Sequence, residues 1–181
     1  MKYPNIGGYH PEEEFRKWPT GSIFENEGQK LYELIIEHKP KLVVEVGAYH
    51  GCSTTWIATA LKKNKKGKLI SIDNGTYSGK TWGMVPEKLK DIIEFRAEDC
   101  FETEVPENID FLFEDGAHSP GFTQRVLERF PAKIMVCHDY MHNSDVGHNV
   151  RTDFNYVFGT YDELFFEEPS DCGLAIKYVD L

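Results

Sequence analysis

Residues 41–56 read KLVVEVGAYHGCSTTW, and the fold follows from the order of residue types in them. Leu42, Val43, Val44 and Val46 make a short apolar run rich in β-branched residues, bounded by Pro40 and Gly47. Such a run is the pattern of a strand buried on both faces. Gly47 and Gly51 bracket a tight step, and Ser53-Thr54 leads into a segment, 56–61, that continues as helix. Glycines here let the backbone turn sharply and let a ligand approach main-chain N–H groups at a helix N-terminus.

Working outward, Glu45 places a carboxylate at the strand end just before the turn. A pyrophosphate over that turn would be repelled by it. A ligand with a positive charge or a free ammonium suits it better. S-adenosylmethionine has a sulfonium and an amino group, with a carboxylate left for the helix N-terminus. The same glutamate also reads as a solvated strand-end residue.

The 181 residues make one domain of ordinary size, able to bury a full core. A mean hydropathy of -0.47 is that of a soluble globular chain. The net charge of -10 argues against a nucleic-acid partner. Lys62, Lys63, Lys65, Lys66 and Lys68 form a basic run between a helix and a strand, where lysines complement the helix dipole and stay solvated. Cys52, Cys100, Cys137 and Cys172 show no C-x-x-C pair and no short metal spacing. With no signal peptide and no long apolar run, the reading is four free thiols in a cytoplasmic protein with no membrane partner.

Residues 1–24 read as an irregular arm or lid, with aromatics at Tyr3, Tyr9, Phe15 and Trp18 and at most one short helix over 11–17. Residues 25–181 form a single domain. An amphipathic helix over 25–38, carrying Leu31, Leu34 and Ile35, ends before Pro40. After the first strand and its helix, a second strand covers 68–73 and a Gly-rich loop 74–84 lies on the ligand side. A weak helix at 86–90 precedes strands at 92–97 and 109–113. A helix at 122–130, a strand at 133–137 and a helix at 146–158 follow, and strands at 164–168 and 174–179 close the chain as a hairpin. Alternation of helix and apolar strand is the βαβ pattern. The fold class is therefore α/β: a doubly wound, mostly parallel, Rossmann-like sheet with a C-terminal antiparallel hairpin. Successive strands finish at Glu45, Asp73, Asp99, Asp115 and Asp139. In an open parallel sheet these acids share one rim, beside the ligand crevice, although each also reads as an ordinary strand end or helix cap.

Taken together, GQKLYELI, VVEVGAYHGCST, LISIDN, RAEDC, FLFEDGAHSPGF, VCHDY and VGHNVRTDF resemble the blocks of class I S-adenosylmethionine-dependent methyltransferases. The pattern is closest to small-molecule O-methyltransferases of the catechol, caffeoyl-CoA and macrocin type. The resemblance implies that Glu45, Gly47, Ala48, Tyr49 and Gly51 surround the methionine end of the cofactor, with Ser53 near its carboxylate. It places Asp73 on the ribose hydroxyls, with Asn74 alongside, and Glu98 and Asp99 at the adenine edge. Tyr49 departs from the commonest pattern, which has glycine there. Asp115 and Asp139 match the acids that hold a divalent cation in metal-dependent members, and oxygen ligands suit Mg²⁺. His118 occupies the place of a lysine tied to proton removal, so His118 or His138 is the implied base.

The implied reaction moves a methyl group to a hydroxyl of a small-molecule acceptor by in-line displacement, with or without metal assistance. Two alternatives stand beside it. One is a catalytically silent module that binds S-adenosylmethionine or a partner protein. The other is a nicotinamide-dependent oxidoreductase, against which stands E-x-G-x-x-x-G in place of G-x-G-x-x-G. Acceptor choice falls to 1–24, 74–91 and 140–148. A chain this short leaves room for a pocket completed by a second copy in a homo-oligomer.

Overall fold

The computed structural model describes residues 22–75 and 84–181. The expected arm lies outside them except for 22–24, where Ile23 is buried in the core, and the expected loop over 74–84 is described only at its ends.

Helix α1 spans Glu25–His38 and buries Leu31, Leu34 and Ile35. It stops at Lys39, whose left-handed backbone lets its N–H bond back to Ile35 O, the usual way of satisfying a last-turn carbonyl ahead of a proline. Strand β1 (Leu42–Val46), helix α2 (Cys52–Asn64) and strand β2 (Lys68–Asp73) complete the first βαβ unit. A 3₁₀ segment at Glu87–Ile92, in place of the expected weak helix, leads into β3 (Ile93–Ala97). Then come β4 (Ile109–Glu114), α3 (Phe122–Arg129), β5 (Ala132–Cys137), α4 (Asp145–Phe158), β6 (Glu163–Phe165) and β7 (Leu174–Tyr178).

The strands of the described residues form one sheet in the order β3-β2-β1-β4-β5-β7-β6. The first five pair in parallel, and β7 runs antiparallel to both of its neighbours. The expected C-terminal antiparallel pair is present, with β7 lying between β5 and β6. β6 is also shorter than its alternating pattern suggests, because the chain leaves the sheet after Phe165.

Alternation along each strand sends side chains to two cores. Val43, Leu69 and Phe113 face α1 and α2, whereas Val44, Val46, Ile70 and Leu112 face α3 and α4. Helix α2 is buried at every position from Cys52 to Leu61, because α1 covers the side that the sheet does not. Gly28 makes that seam possible, since a Cβ there would stand 2.2 Å from Trp56 Nε1. The order of strands reverses between β1 and β4, where an open α/β sheet leaves its crevice. All four cysteines are free and buried. Among the described residues no helix is long and apolar enough to cross a membrane.

Candidate active site

A cavity of about 280 Å³ opens at that reversal, lined by Gly47, Tyr49, Asp73, Asn74, Glu98, Asp99 and Asp115 together with Val46, Ile72, Cys100, Gly116, Ala117 and Phe122. Its volume is near the lower end of the roughly 300–1,000 Å³ usual for small-molecule sites. Gly47 sets its floor. At φ +89 a Cβ would stand 2.0 Å from Asp115 O, so only glycine brings the β1 turn against the β4 turn. Asp73 Oδ2 accepts the N–H groups of Ala48 and Tyr49 at 3.1 and 3.0 Å, which fixes the glycine turn from the end of β2. Phe122, read from sequence only as the start of a helix, covers Gly116 so closely that a Cβ there would meet its ring at 2.2 Å. Phe101 meets that ring edge-on at 5.3 Å, with the Arg125 guanidinium 3.7 Å above Phe101.

Glu45, Ala48, Gly51 and Ser53 are not among the lining residues. Period-two alternation puts Glu45 on the Val43 side of β1, beneath α2, and opposite Ser71 in the register with β2. Its carboxylate accepts from Ser53, Thr54 and Ser71 hydroxyls, each at 2.6 Å. Burial pushes its pKa up to about 7, against the pull of these bonds. Glu45 therefore joins β1, β2 and the first turn of α2, and the Ser53 hydroxyl is spent on that junction.

Beyond the cavity, buried acids and histidines form a chain. His138 donates from Nδ1 to Asp115 Oδ1 at 3.1 Å and from Nε2 to Glu27 Oε2 at 3.0 Å. With a carboxylate on each nitrogen it is an imidazolium. Burial alone would lower its pKa, but the charge and bonds of Asp115, Asp139 and Glu27 raise it well above the ordinary value. Glu27 comes from the first turn of α1 and also accepts Ser170 Oγ at 2.5 Å and Gly173 N–H at 2.9 Å. Burial raises its pKa and the His138 interaction more than offsets this, leaving it below the ordinary value.

His118 is arranged differently. Its Nδ1 lies 3.1 Å from Asp139 Oδ2, while Nε2 stands 3.7 Å from Glu114 and 4.0 Å from Asp115 with no hydrogen-bond partner among the described residues. Helix α4 holds this loop, Asn149 donating to His118 O at 3.0 Å. Burial would lower the His118 pKa, but Asp139, Glu114 and Asp115 together raise it. Asp139 is held well below the usual carboxylate range, because its bonds from His118 and His138 outweigh its burial. Tyr49, His118 and Asp139 all have positive φ, so non-glycine residues in a sparsely populated backbone region gather at these strand ends, as they do at functional sites.

The acids read from sequence at the ends of β2, β4 and β5 lie at these strand ends, with both histidines beside the last two. Two buried acids beside them had no distinct signal in the sequence: Glu27, one more polar residue of an amphipathic helix, and Glu114, which precedes Asp115 in FLFEDGAHSPGF. Glu114 is fully buried and accepts from Gly116 N–H and Thr123 Oγ1, both at 3.0 Å. Ligand atoms of Asp115, His138 and Asp139 lie within 4.8 Å of one another, so the two acids implied as metal ligands do come together, with His138 Nδ1 between them.

The sequence profile of a family described as a methyltransferase domain matches residues 44–140. No curated protein sequence matches the chain. Among solved structures, an O-methyltransferase of Bacillus cereus in complex with SAH is 16% identical, with 93% of this chain and 90% of that chain covered and a TM-score of 0.72. The O-methyltransferase TomG of Streptomyces achromogenes, involved in tomaymycin synthesis and in complex with SAM, is 16% identical over 94% and 86% of the two chains, with a TM-score of 0.68. A methyltransferase of Geobacter sulfurreducens is 21% identical over 93% and 85%, with a TM-score of 0.67. At these identities the likeness is one of fold.

Proposed function

This chain belongs to the methyltransferase domain family, and from that premise we propose that it transfers a methyl group from S-adenosylmethionine to a hydroxyl of a small molecule. The observation that carries the proposal is the cavity at the β1–β4 reversal. Its residues fit the cofactor in kind: Gly47 lets the β1 turn close against the β4 turn at the cavity floor, Asp73 and Asn74 offer polar atoms for a ribose, Glu98 and Asp99 offer acceptors for an adenine amino group, and Ile72 and Phe122 offer apolar faces for its ring. Glu45 and Ser53 support the turn from behind, and Ala48 presents its N–H to Asp73. When bound, S-adenosylmethionine supplies an electrophilic methyl group on its sulfonium.

For the acceptor proton, His118 is the better base of the two histidines. Asp139 holds its Nδ1, and Nε2 has no hydrogen-bond partner among the described residues, the arrangement of an oriented general base. His138 has a carboxylate on each ring nitrogen and serves as a fixed positive charge between Asp115 and its neighbours. Asp115 and Asp139 would hold Mg²⁺, which would lower the pKa of an acceptor hydroxyl. His138 Nδ1 now stands between those acids, so ion and imidazolium compete for one place. The same fold is compatible with a second copy completing the acceptor side, and the four free cysteines support a reducing, cytoplasmic setting.

Isothermal titration with S-adenosylmethionine and S-adenosylhomocysteine, with and without Mg²⁺, tests the reading. Both ligands are expected to bind the wild type and to lose at least about tenfold in affinity in Asp73→Ala, a cost of about 1.4 kcal/mol. Asp73→Asn keeps one acceptor oxygen for the turn and separates a ribose role from a turn role. Failure of both ligands to bind the wild type would end the methyltransferase reading. A Mg²⁺ effect lost in Asp115→Asn would support the metal.

A further inference from the structure

One group of side chains with strong ligating chemistry has no part in the proposed transfer. His142, in the loop between β5 and α4, meets Asp171 and Cys172, in the connection between β6 and β7. One ligand atom from each lies within 4.8 Å of the others. Main chain ties the two loops side by side: Met141 N–H donates to Cys172 O at 2.6 Å and Tyr140 N–H to Gly173 O at 3.4 Å. Helix α4 braces the first loop, since Arg151 donates to Tyr140 O and His142 O at 2.7 and 3.4 Å. Gly147 packs so closely that a Cβ there would stand 2.0 Å from His142 O. The three side chains therefore sit on backbone that is already fixed, which is what a ligand set requires.

Two details separate this group from a chance cluster. The Cys172 sulfur lies 3.5 Å from Asp171 Oδ1, so sulfur and carboxylate already converge on one point that a cation can occupy. Ser144 Oγ occupies His142 Nδ1 at 2.7 Å, leaving Nε2 for a ligand. An outer partner of this kind orients metal-binding histidines. Sulfur, imidazole and carboxylate together suit Zn²⁺, whereas Mg²⁺ and Ca²⁺ prefer oxygen alone. Cys172 also lies near Glu27 and His138, but those two are already paired with each other and buried. Asp171 is exposed and His142 half-buried, which gives an ion a way in from solvent.

We propose that His142, Asp171 and Cys172 form a Zn²⁺ site that clamps the β5–α4 loop to the β6–β7 connection. On binding, the S–H bond of Cys172 breaks, its proton passes to solvent, and the sulfur bonds the ion. His142 and Asp171 complete three protein ligands, and water takes the fourth position. The ligand set leaves out Asp115 and Asp139, although the Cys172 thiol also meets Asp139, and it does not depend on the methyl-transfer reading.

Cobalt substitution tests it, because Co²⁺ bound by a thiolate gains a charge-transfer absorption that oxygen and nitrogen ligands do not give. Titrating the full chain, stripped of metal by a chelator, is expected to raise that band to a plateau at one equivalent, and Zn²⁺ is expected to abolish it. Cys172→Ser should remove the band. His142→Ala should weaken Co²⁺ binding by tenfold or more, and Ser144→Ala by about tenfold, the usual cost of losing an outer partner. Circular dichroism checks that each variant folds, and the exposed Asp171→Asn offers a ligand change that leaves the core untouched. The proposal is overturned if the wild type shows no thiolate band, if His142→Ala and Asp171→Asn bind as the wild type does, or if folded Cys172→Ser retains the band.

Discussion

Glu45 sits fully buried among three hydroxyls, and its ionisation works against folding. Its pKa rises from the ordinary 4.5 to about 7 in the folded chain. The native state thus keeps the proton longer than the unfolded state does. The stabilisation is fully present below about 4.5 and is lost as pH rises through about 7. The difference corresponds to roughly 3 kcal/mol. Urea denaturation of wild type and Glu45→Gln at pH 5 and pH 8 is expected to show the wild type losing stability relative to the variant across that interval. Equal pH slopes for the two would contradict it. The sequence marked Glu45 as unusual without revealing its direction. Alternation along β1 predicts the face, but the hydroxyls of Thr54 and Ser71 become partners only once α2 and β2 lie against it.

Among elements, the α1–α2 seam gives the clearest sign test. Gly28 lies inside α1, where alanine ordinarily gains about 1 kcal/mol through helix propensity. Here the added Cβ would stand 2.2 Å from Trp56 Nε1 and 2.5 Å from Cδ1, and the ring, buried between α1 and the sheet, has nowhere to move. Overpacking of this kind costs about 1–3 kcal/mol. Gly28→Ala should therefore lower the denaturant midpoint, and Trp56→Phe in the same chain should recover part of the loss; a more stable single variant would contradict the packing. The elements with strong local signals were legible. α1 and β2 run as their apolar spacing and flanking residues predict, from Glu25–His38 and Lys68–Asp73. The position of β7 was not legible, because local alternation specifies a strand and says nothing of which neighbour it pairs with. The site shows the same division: acids at strand ends follow from sequence, whereas Glu27 and Phe122 enter only through tertiary packing.

In the molecule as a whole, Glu27 joins the beginning of the described chain to its end. One carboxylate takes Phe24 N–H in its own helix cap, His138 at the end of β5, and Ser170 and Gly173 before β7. Replacing it with glutamine removes one partner of a buried ion pair, a change that costs about 3–5 kcal/mol. Glu27→Gln should shift the urea midpoint downward with little change in slope, and it should lower stability even when every cavity residue is intact. A shift under about 1 kcal/mol, the range of an exposed pair, would show that the junction is not desolvated. The place of β7 has a consequence of another kind. On the ribosome the chain emerges from its N-terminus, so β1 to β6 are all synthesised while β5 still has a bare edge. Until residues 174–178 arrive, that edge can accept a foreign strand. Chaperones that shield extended segments should therefore bind nascent chains stalled before residue 174 and release those carried past it.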